Sequence, residues 1–543
     1  MLLSELARTS AAVAGVQSRR AKIEEISALL AEVPSGEVPV AVAFLSGELR
    51  QRQIGVGYAA LGDLFPSAAP ATGAPAGPAL TLAETDAAFA AIGAVTGPGA
   101  QSERRRLLAA LLSRATDGER SFLIRLLAGD LGQGALEGVM TEAIARAAGV
   151  PAALVRRAHQ LGGSLPEVAQ AALGGPGRPD GPGGPDGPGG PDGDRALAAL
   201  RSFTLQVGRP LRPMLAASAP NIGAALERIS PAAVEWKIDG IRIQVHKKDH
   251  RVTIFTRTLD DITARVPEIA AAVLGIGAAA AVLDGEAVAL FPDGRPRPFQ
   301  VTSGRAASHD STGQQQADLP LTPFFFDLLH LDGTDLIDTP GSERRALLSR
   351  ILPDALVIPR IVTADPAAAA EFFRDAVARG HEGVVVKSLD GGYAAGRRGS
   401  EWIKVKPRHT LDLVVLAAEW GHGRRRGWLS NLHLGARDPA TGGLVMLGKT
   451  FKGLTDEMLA WQTERLLQLA DPPRAPGEAA SAPYGVVRVR PELVAEIAFD
   501  GVQASSRYPG GVALRFARVV RYRPDKAAAE ADTIDSVRAV WGG

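Results

Sequence analysis

The chain has 543 residues, a formal net charge of +1 and no cysteine. The length accommodates about three domains, each with its own core, and the missing thiols exclude disulfides, thiolate zinc sites and cysteine nucleophiles. A nearly neutral balance leaves any polyanionic partner to be held by local patches, because the field of the whole molecule does not announce one.

The start, Met1-Leu-Leu-Ser-Glu-Leu-Ala-Arg8, puts charges where a signal peptide needs an unbroken apolar core, and no run approaches membrane-spanning length. A cytoplasmic protein is expected. Residues 1–173 read as helical: Ser102-Glu-Arg-Arg-Arg-Leu-Leu-Ala-Ala-Leu-Leu112 and Met140-Thr-Glu-Ala-Ile-Ala-Arg-Ala-Ala148 combine helix-forming composition with apolar residues at three and four spacings. Between them, Phe122 to Gly138 reads as a helix followed by a glycine-rich turn. Residues 174–194 repeat Gly-Gly-Pro-Asp-Gly-Pro, which can neither bury a core nor continue a helix, so a mobile, mildly acidic linker is expected.

From 195 to 407, strand and helix signals alternate and the polar motifs concentrate. In Glu235-Trp-Lys-Ile-Asp-Gly-Ile-Arg242 the apolar parity switches at Gly240: Val234, Trp236 and Ile238 precede it, while Ile241, Ile243 and Val245 follow. Two strands meeting at a tight Asp239-Gly240 turn would do this, with Glu235, Lys237 and Asp239 on one face. Lys237 at that spacing suits a nucleophile for a nucleotide phosphate, provided neighbouring cations or desolvation favour its neutral amine. Leu283-Asp-Gly-Glu286 offers a carboxylate after a turn. Phe324-Phe-Phe-Asp-Leu-Leu-His-Leu-Asp-Gly333 reads as an aromatic strand ending in a turn, with rings on which a purine can stack. Glu382-Gly-Val-Val-Val-Lys387 reads as a short buried strand between a carboxylate and a lysine. In Glu401-Trp-Ile-Lys-Val-Lys-Pro407, Lys404 and Lys406 share one side of a strand, where two ammoniums beside Lys237 would disfavour its protonation and hold phosphates.

Beyond residue 408 short strands dominate: 411–416, 432–436, 445–449, 486–489 and 493–499. With a helix near 456–469 this pattern fits an OB-fold barrel.

Lys237, Arg257, Glu286, Phe326, Glu382, Lys404 and the closing Arg523-Pro-Asp-Lys526, in that order, resemble the motif series of the covalent nucleotidyltransferases and, in detail, of the ATP-dependent DNA ligases. The likeness extends over nearly the whole chain. It implies a multidomain protein: a helical DNA-binding domain (1–173), the linker (174–194), an α+β adenylation (nucleotidyltransferase) domain (195–407) and an OB-fold β-barrel (408–543). The stretch 122–138 then resembles the helix and glycine turn of the DNA-binding domain. The family's NAD-dependent relatives carry a four-cysteine zinc module, so the absence of cysteine favours ATP.

The resemblance also implies a mechanism. Lys237 attacks the α-phosphate of ATP and expels pyrophosphate; AMP then passes to the 5′-phosphate at a nick in double-stranded DNA, and the 3′-hydroxyl displaces it. Glu235 contacts adenine, Phe326 stacks on it, and Arg242 and Glu286 hold the ribose and phosphate region. Lys404 and Lys406 neutralise charge developing on the α-phosphate. Arg257 and Arg398 stand where the family places phosphate-binding arginines, and Arg523 and Lys526 orient the leaving pyrophosphate. Mg2+ is implied by the polyphosphate, with Asp239, Glu286 and Glu382 as oxygen donors, the ribose and metal roles competing for Glu286. Such an enzyme is expected to act as a monomer in the cytoplasm, on the nucleoid, in replication, repair or recombination. The alternatives are an RNA-directed nucleotidyltransferase and a noncatalytic clamp on nicked duplex. One departure is Pro524, where ligases often carry an acidic residue; it removes a backbone donor and stiffens the turn.

Overall fold

The computed structural model describes residues 1–51, 54–55, 78–134, 137–162, 164–174, 191–308, 318–471 and 485–541. Residues 175–190 of the expected linker and Ala135-Leu136 of the glycine-rich stretch lie outside them.

Helices account for the regular structure from Leu3 to Leu173. They form where the apolar spacing demands a buried stripe, and their starts are fixed chemically: Thr81 with Glu84, and Thr116 with Glu119, make capping boxes at two N-termini. Phe44, Phe89 and Phe122 anchor a shared core. The helix Asp117–Leu127 ends in the expected glycine turn, where Gly129, Gly132 and Gly134 all take positive φ. Lys22 secures this turn by donating to the Gln133 carbonyl at 2.5 Å.

The linker boundary differs from the expected one. A helix begins at Pro191 and runs to Arg201, and its Ala196 and Leu200 belong to the core of the amino-terminal helices. Pro191 stands in the first turn, where its missing N–H costs nothing, so proline here opens a helix and does not extend the coil.

Ten strands follow: β1 (Leu215–Ser218), β2 (Ala232–Lys237), β3 (Ile241–Lys248), β4 (Arg251–Thr256), β5 (Ala280–Ala289), β6 (Leu321–Leu331), β7 (Thr334–Asp335), β8 (Arg360–Thr363), β9 (Gly383–Ser388) and β10 (Arg398–Val405). They form two five-stranded sheets, ordered β1-β10-β9-β2-β8 and β4-β3-β5-β6-β7. β2 and β3 therefore do not form the hairpin expected at Asp239-Gly240; the chain passes from one sheet to the other there. Gly240 does not have positive φ. It is glycine because a Cβ would collide with the Ala287 carbonyl on β5. Nor is there a turn at Asp284-Gly285: β5 continues through it, with a shift of register against β6, and a Cβ on Gly285 would press on the Phe324 carbonyl and the Phe325 ring.

The remaining strands are β11 (His409–Trp420), β12 (Leu429–Arg437), β13 (Leu444–Thr450), β14 (Val486–Arg488), β15 (Val494–Phe499), β16 (Gly501–Ala504), β17 (Val512–Arg515) and β18 (Arg518–Tyr522). β11 is the centre of this part, pairing with β12, β14 and β15. The helix Asp456–Gln468 packs Leu459 and Leu466 into the same core.

Ion pairs join the amino-terminal helices to the strand region: Arg157 grips Asp338 through two bonds of 2.5 and 2.7 Å, Arg209 meets Glu167 at 2.5 Å, and Arg212 meets Glu137. Between them Leu161 shares an apolar cluster with Leu205, Met214, Tyr393 and Trp402.

The crossing at Gly240 yields the first prediction. Gly240→Ala should destabilise the protein by about 1–3 kcal/mol, the range of an overpacked core site. Urea unfolding measures it, and an unchanged midpoint would mean that Gly240 and the Ala287 carbonyl do not approach as described.

Candidate active site

The two sheets face each other across a pocket of about 160 Å³, and strand register fills its walls. Lys237 ends β2 opposite Gly383 of β9, and Glu235 lies opposite Val385. Lys404 on β10 is also opposite Val385, so both lysines border one stretch of β9. Ile403 and Val405 alternate with it and are buried. The other sheet supplies Arg242 on β3, directly across from Glu286 on β5, and Phe326 on β6. Arg257, just after β4, and Arg398, at the start of β10, complete the wall. Eight of the expected residues thus share one pocket.

The expected ring of cations around Lys237 is interrupted by a carboxylate. Lys237 ion-pairs with Glu382 Oε2, while Lys406 binds Glu382 Oε1 and reaches Asp500 Oδ2 at 3.2 Å. Lys406 therefore does not line the pocket. Its ammonium, although disfavoured by burial, is held above the ordinary lysine value by Glu382 and Asp500. Of the two, Lys404 lines the pocket, and burial, then Lys406, Lys237 and Arg398, push its ammonium below the ordinary value.

Glu235 is buried, receives Lys387 Nζ at 2.6 Å and has Arg345 at 3.7 Å. Lys387 also lies over the rings of Phe326 and Trp402, at 4.5 and 4.2 Å from their centroids. Lys387 and Trp402 line the pocket, yet sequence reasoning did not single them out as site residues. Both stand inside quoted motifs, and strand parity could have assigned Trp402 to the side opposite Ile403. Arg242 is fixed by Asp284, its Nε and Nη2 each donating at 2.6 Å. Burial opposes its charge, but Asp284 more than restores it. Asp284 is fully buried and was not foreseen as anything but a turn residue.

The remaining expected residues lie elsewhere. Asp239 is not in the pocket; Arg515 of β17 holds it, Nη1 to Oδ2 at 2.6 Å. Beside Arg515 stand the exposed rings of Phe299 and Phe516, each centroid 5.9 Å from its guanidinium carbon. Arg523 and Lys526 both bind Asp412 Oδ2 on β11, at 2.8 and 2.6 Å, and do not line the pocket.

Among the described residues no three His, Cys, Asp or Glu side chains form a metal site. Asp239 is paired with Arg515, and Glu382 with Lys237 and Lys406. Glu286 alone fits a divalent ion carried in by a polyphosphate: it faces the pocket without a hydrogen-bond partner among the described residues, and burial pushes its carboxyl up to about 7, against partial relief from Lys237 and Arg242. A larger cavity of about 630 Å³ lies among the amino-terminal helices near Arg212, but its arginines are committed to Asp86 and Glu137 and it holds none of these groups.

Family models match three stretches of the chain: the DNA ligase N terminus over residues 67–145, the ATP dependent DNA ligase domain over 213–406, and the ATP dependent DNA ligase C terminal region over 425–526. A probable DNA ligase from Mycobacterium marinum is 55% identical, and one from Beutenbergia cavernae 53% identical, each with 100% of both chains covered. The chain belongs to the ATP-dependent DNA ligases. Such a ligase seals nicks in duplex DNA through a lysine-AMP intermediate and an adenylated 5′-phosphate, and serves DNA replication, repair or recombination. Among solved structures, that of Pmar-Lig_Pre aligns with a TM-score of 0.60 over 96% of this ligase and 99% of its own chain at 17% identity, a likeness of fold.

Glu286 makes the ligase's stability depend on pH. Its folded-state value, about 7, lies above the ordinary 4.5, so its contribution is intact below pH 4.5 and is lost as pH rises towards 7, where the unfolded chain ionises first. Glu286→Gln should therefore gain on the wild type between pH 5 and pH 8 in urea unfolding. A difference that stays constant over that range would show that Glu286 titrates at its ordinary value.

Proposed function

We propose that Lys237 is the lysine that becomes adenylated. The supporting observation is its position: a lysine on the wall of a two-sheet pocket, in contact with Glu382 and surrounded by Lys404, Arg257, Arg398 and Glu286. Attack on the α-phosphate of ATP forms an N–P bond and breaks the bond to pyrophosphate, and the ammonium must first give up a proton. Glu382 is the carboxylate in place to take it. Lys404, Arg257 and Arg398 supply positive charge for the phosphates, already oriented before substrate arrives. Phe326 offers a ring face to the purine, while Glu235, with Lys387, offers polar atoms to its edge. Arg242 and Glu286 address the ribose and α-phosphate region.

Mg2+, when bound, would screen the polyphosphate and polarise its oxygens. Glu286 is its proposed protein donor, with Glu382 and Asp239 reachable only once their cations move. Lys406 is proposed to serve the α-phosphate after leaving Asp500, and Arg523 and Lys526 to orient the pyrophosphate after leaving Asp412.

In this reading residues 1–173 grip nicked duplex, the linker of 174–194, shortened by the helix that opens at Pro191, tethers them, 195–407 carry adenylation and 408–543 form the OB-fold. The positive-φ glycine turn at 129–134, which opens backbone amides to phosphates, supports the first assignment. The exposed Phe299 and Phe516 around Arg515 suit the apolar and phosphate surfaces of DNA beside the pocket. A monomer working in the cytoplasm on the nucleoid is part of the same proposal; among the described residues no helix is long and apolar enough to cross a membrane.

The test is incubation with α-labelled ATP, Mg2+ and a nicked duplex, following label on protein and joining of strands. Wild type should acquire label and join DNA, whereas Lys237→Ala should do neither. Label surviving in Lys237→Ala would move the nucleophile to another residue. Labelled wild type that joins only RNA ends would favour the RNA-directed alternative, and unlabelled wild type the noncatalytic clamp.

A further inference from the structure

We propose that Tyr393 is a positioning residue of the nucleotide site, setting through Asp284 the orientation in which Arg242 meets bound nucleotide. This rests on the reading that Arg242 contacts the nucleotide. Tyr393 lies between β9 and β10, is buried, and does not reach the pocket itself. Its hydroxyl donates to Asp284 Oδ2 at 2.5 Å and accepts from the Met214 N–H at 3.0 Å. Its own N–H donates to the Ile337 carbonyl at 2.6 Å, so the ring is held from both ends.

Asp284 needs this third partner. A carboxylate that receives a guanidinium fork on both oxygens can still swing about its Cβ–Cγ bond and carry the fork with it. The phenol occupies a further acceptor site on Oδ2 and fixes the carboxylate plane. Arg242 then spends Nε and Nη2 on Asp284, with Nη2 also 3.3 Å from the Met214 carbonyl, and Nη1 is left without a protein partner among the described residues. Met214 thereby joins the two ends of the chain, giving its N–H to Tyr393 and its carbonyl to Arg242. The guanidinium lies over Phe326, 4.7 Å from the ring centroid, so any pivot of Asp284 would move both the free nitrogen and the base of the stacking surface.

The hydroxyl is the only part of Tyr393 required for this. The ring packs edge-on against Trp402 at 5.7 Å, a contact that phenylalanine keeps. Burial and the adjacent Asp284 push the phenol well above its ordinary value, so it remains a donor throughout the working range.

The experiment measures self-adenylation of the full chain at varied ATP without DNA, with unfolding midpoints recorded for each variant. Tyr393→Phe should raise the ATP KM roughly tenfold while the maximal rate changes less than about threefold, as expected when a hydrogen bond to a charged group is lost from a ground-state binding network. Added to Asp284→Asn, it should produce no further loss, because both act on one orientation. An unchanged KM, a fall in maximal rate alone, or effects that multiply in the double variant would each overturn the proposal. If Tyr393→Phe does not fold, Asp284→Asn carries the test: it keeps the shape of the acceptor, should raise the KM similarly, and an unchanged value is fatal. Arg242→Ala separates the two layers. An unchanged KM there overturns the role of Arg242, whereas a raised KM there beside a normal one in Tyr393→Phe overturns the role of Tyr393 alone.

Discussion

Glu382 holds two ammonium groups at once, Lys237 on one oxygen and Lys406 on the other, and much of the arrangement around the pocket follows from that sharing. A half-buried carboxylate between two lysines is tolerable because each charge has a partner, while removing any one would leave another uncompensated. Part of the positive charge at the pocket is thereby offset before substrate enters, while Lys404, Arg257 and Arg398 still line it. Phosphates would have to compete with Glu382 and Asp500 for Lys237 and Lys406, so part of binding would be an exchange of partners.

The same exchange ties the carboxyl-terminal strands to the catalytic sheets. Asp500 takes the free side of Lys406, Arg518 reaches Asp500 at 3.3 Å, and Arg515 neutralises Asp239. Arg523 and Lys526 meanwhile share Asp412. One face of the strand-rich part is thus engaged with the pocket rim, while Arg523 and Lys526, just after β18, are held by Asp412 of β11. If Lys406 serves a phosphate as proposed, it must release Asp500, so docking of this part and the first chemical step would compete for one side chain.

Local pattern made part of this legible. The alternation around Lys404 shows in the sequence because a strand buries every second residue, and the glycine turn after Leu127 shows because only glycine accepts those backbone angles readily. The Asp239-Gly240 and Asp284-Gly285 pairs misled for the same reason. Asp-Gly is a hairpin signal when its strands pair with each other, but here the glycines answer to neighbours more than 35 positions away, Ala287 and Phe325. Long-range partners were also what the chain concealed at Asp284, Asp412, Tyr393 and Asp500: nothing within ten residues of any of them signals the cation or phenol it meets. β16, β17 and β18, at four or five residues each, are too short to declare a period.

The apolar cluster that joins Leu161 of the amino-terminal helices to Met214, Tyr393 and Trp402 has a consequence for any shortened form of the ligase. A chain cut back to its catalytic parts would uncover Leu205 and Phe203 and break the hold of Arg157 on Asp338, next to the carbonyl that anchors Tyr393. Each square ångström of apolar surface returned to water forfeits about 25 cal/mol, and the loss falls on the rear wall of the nucleotide pocket. The amino-terminal helices are in this sense a backing plate for the pocket, a mechanical duty separate from any grip on DNA.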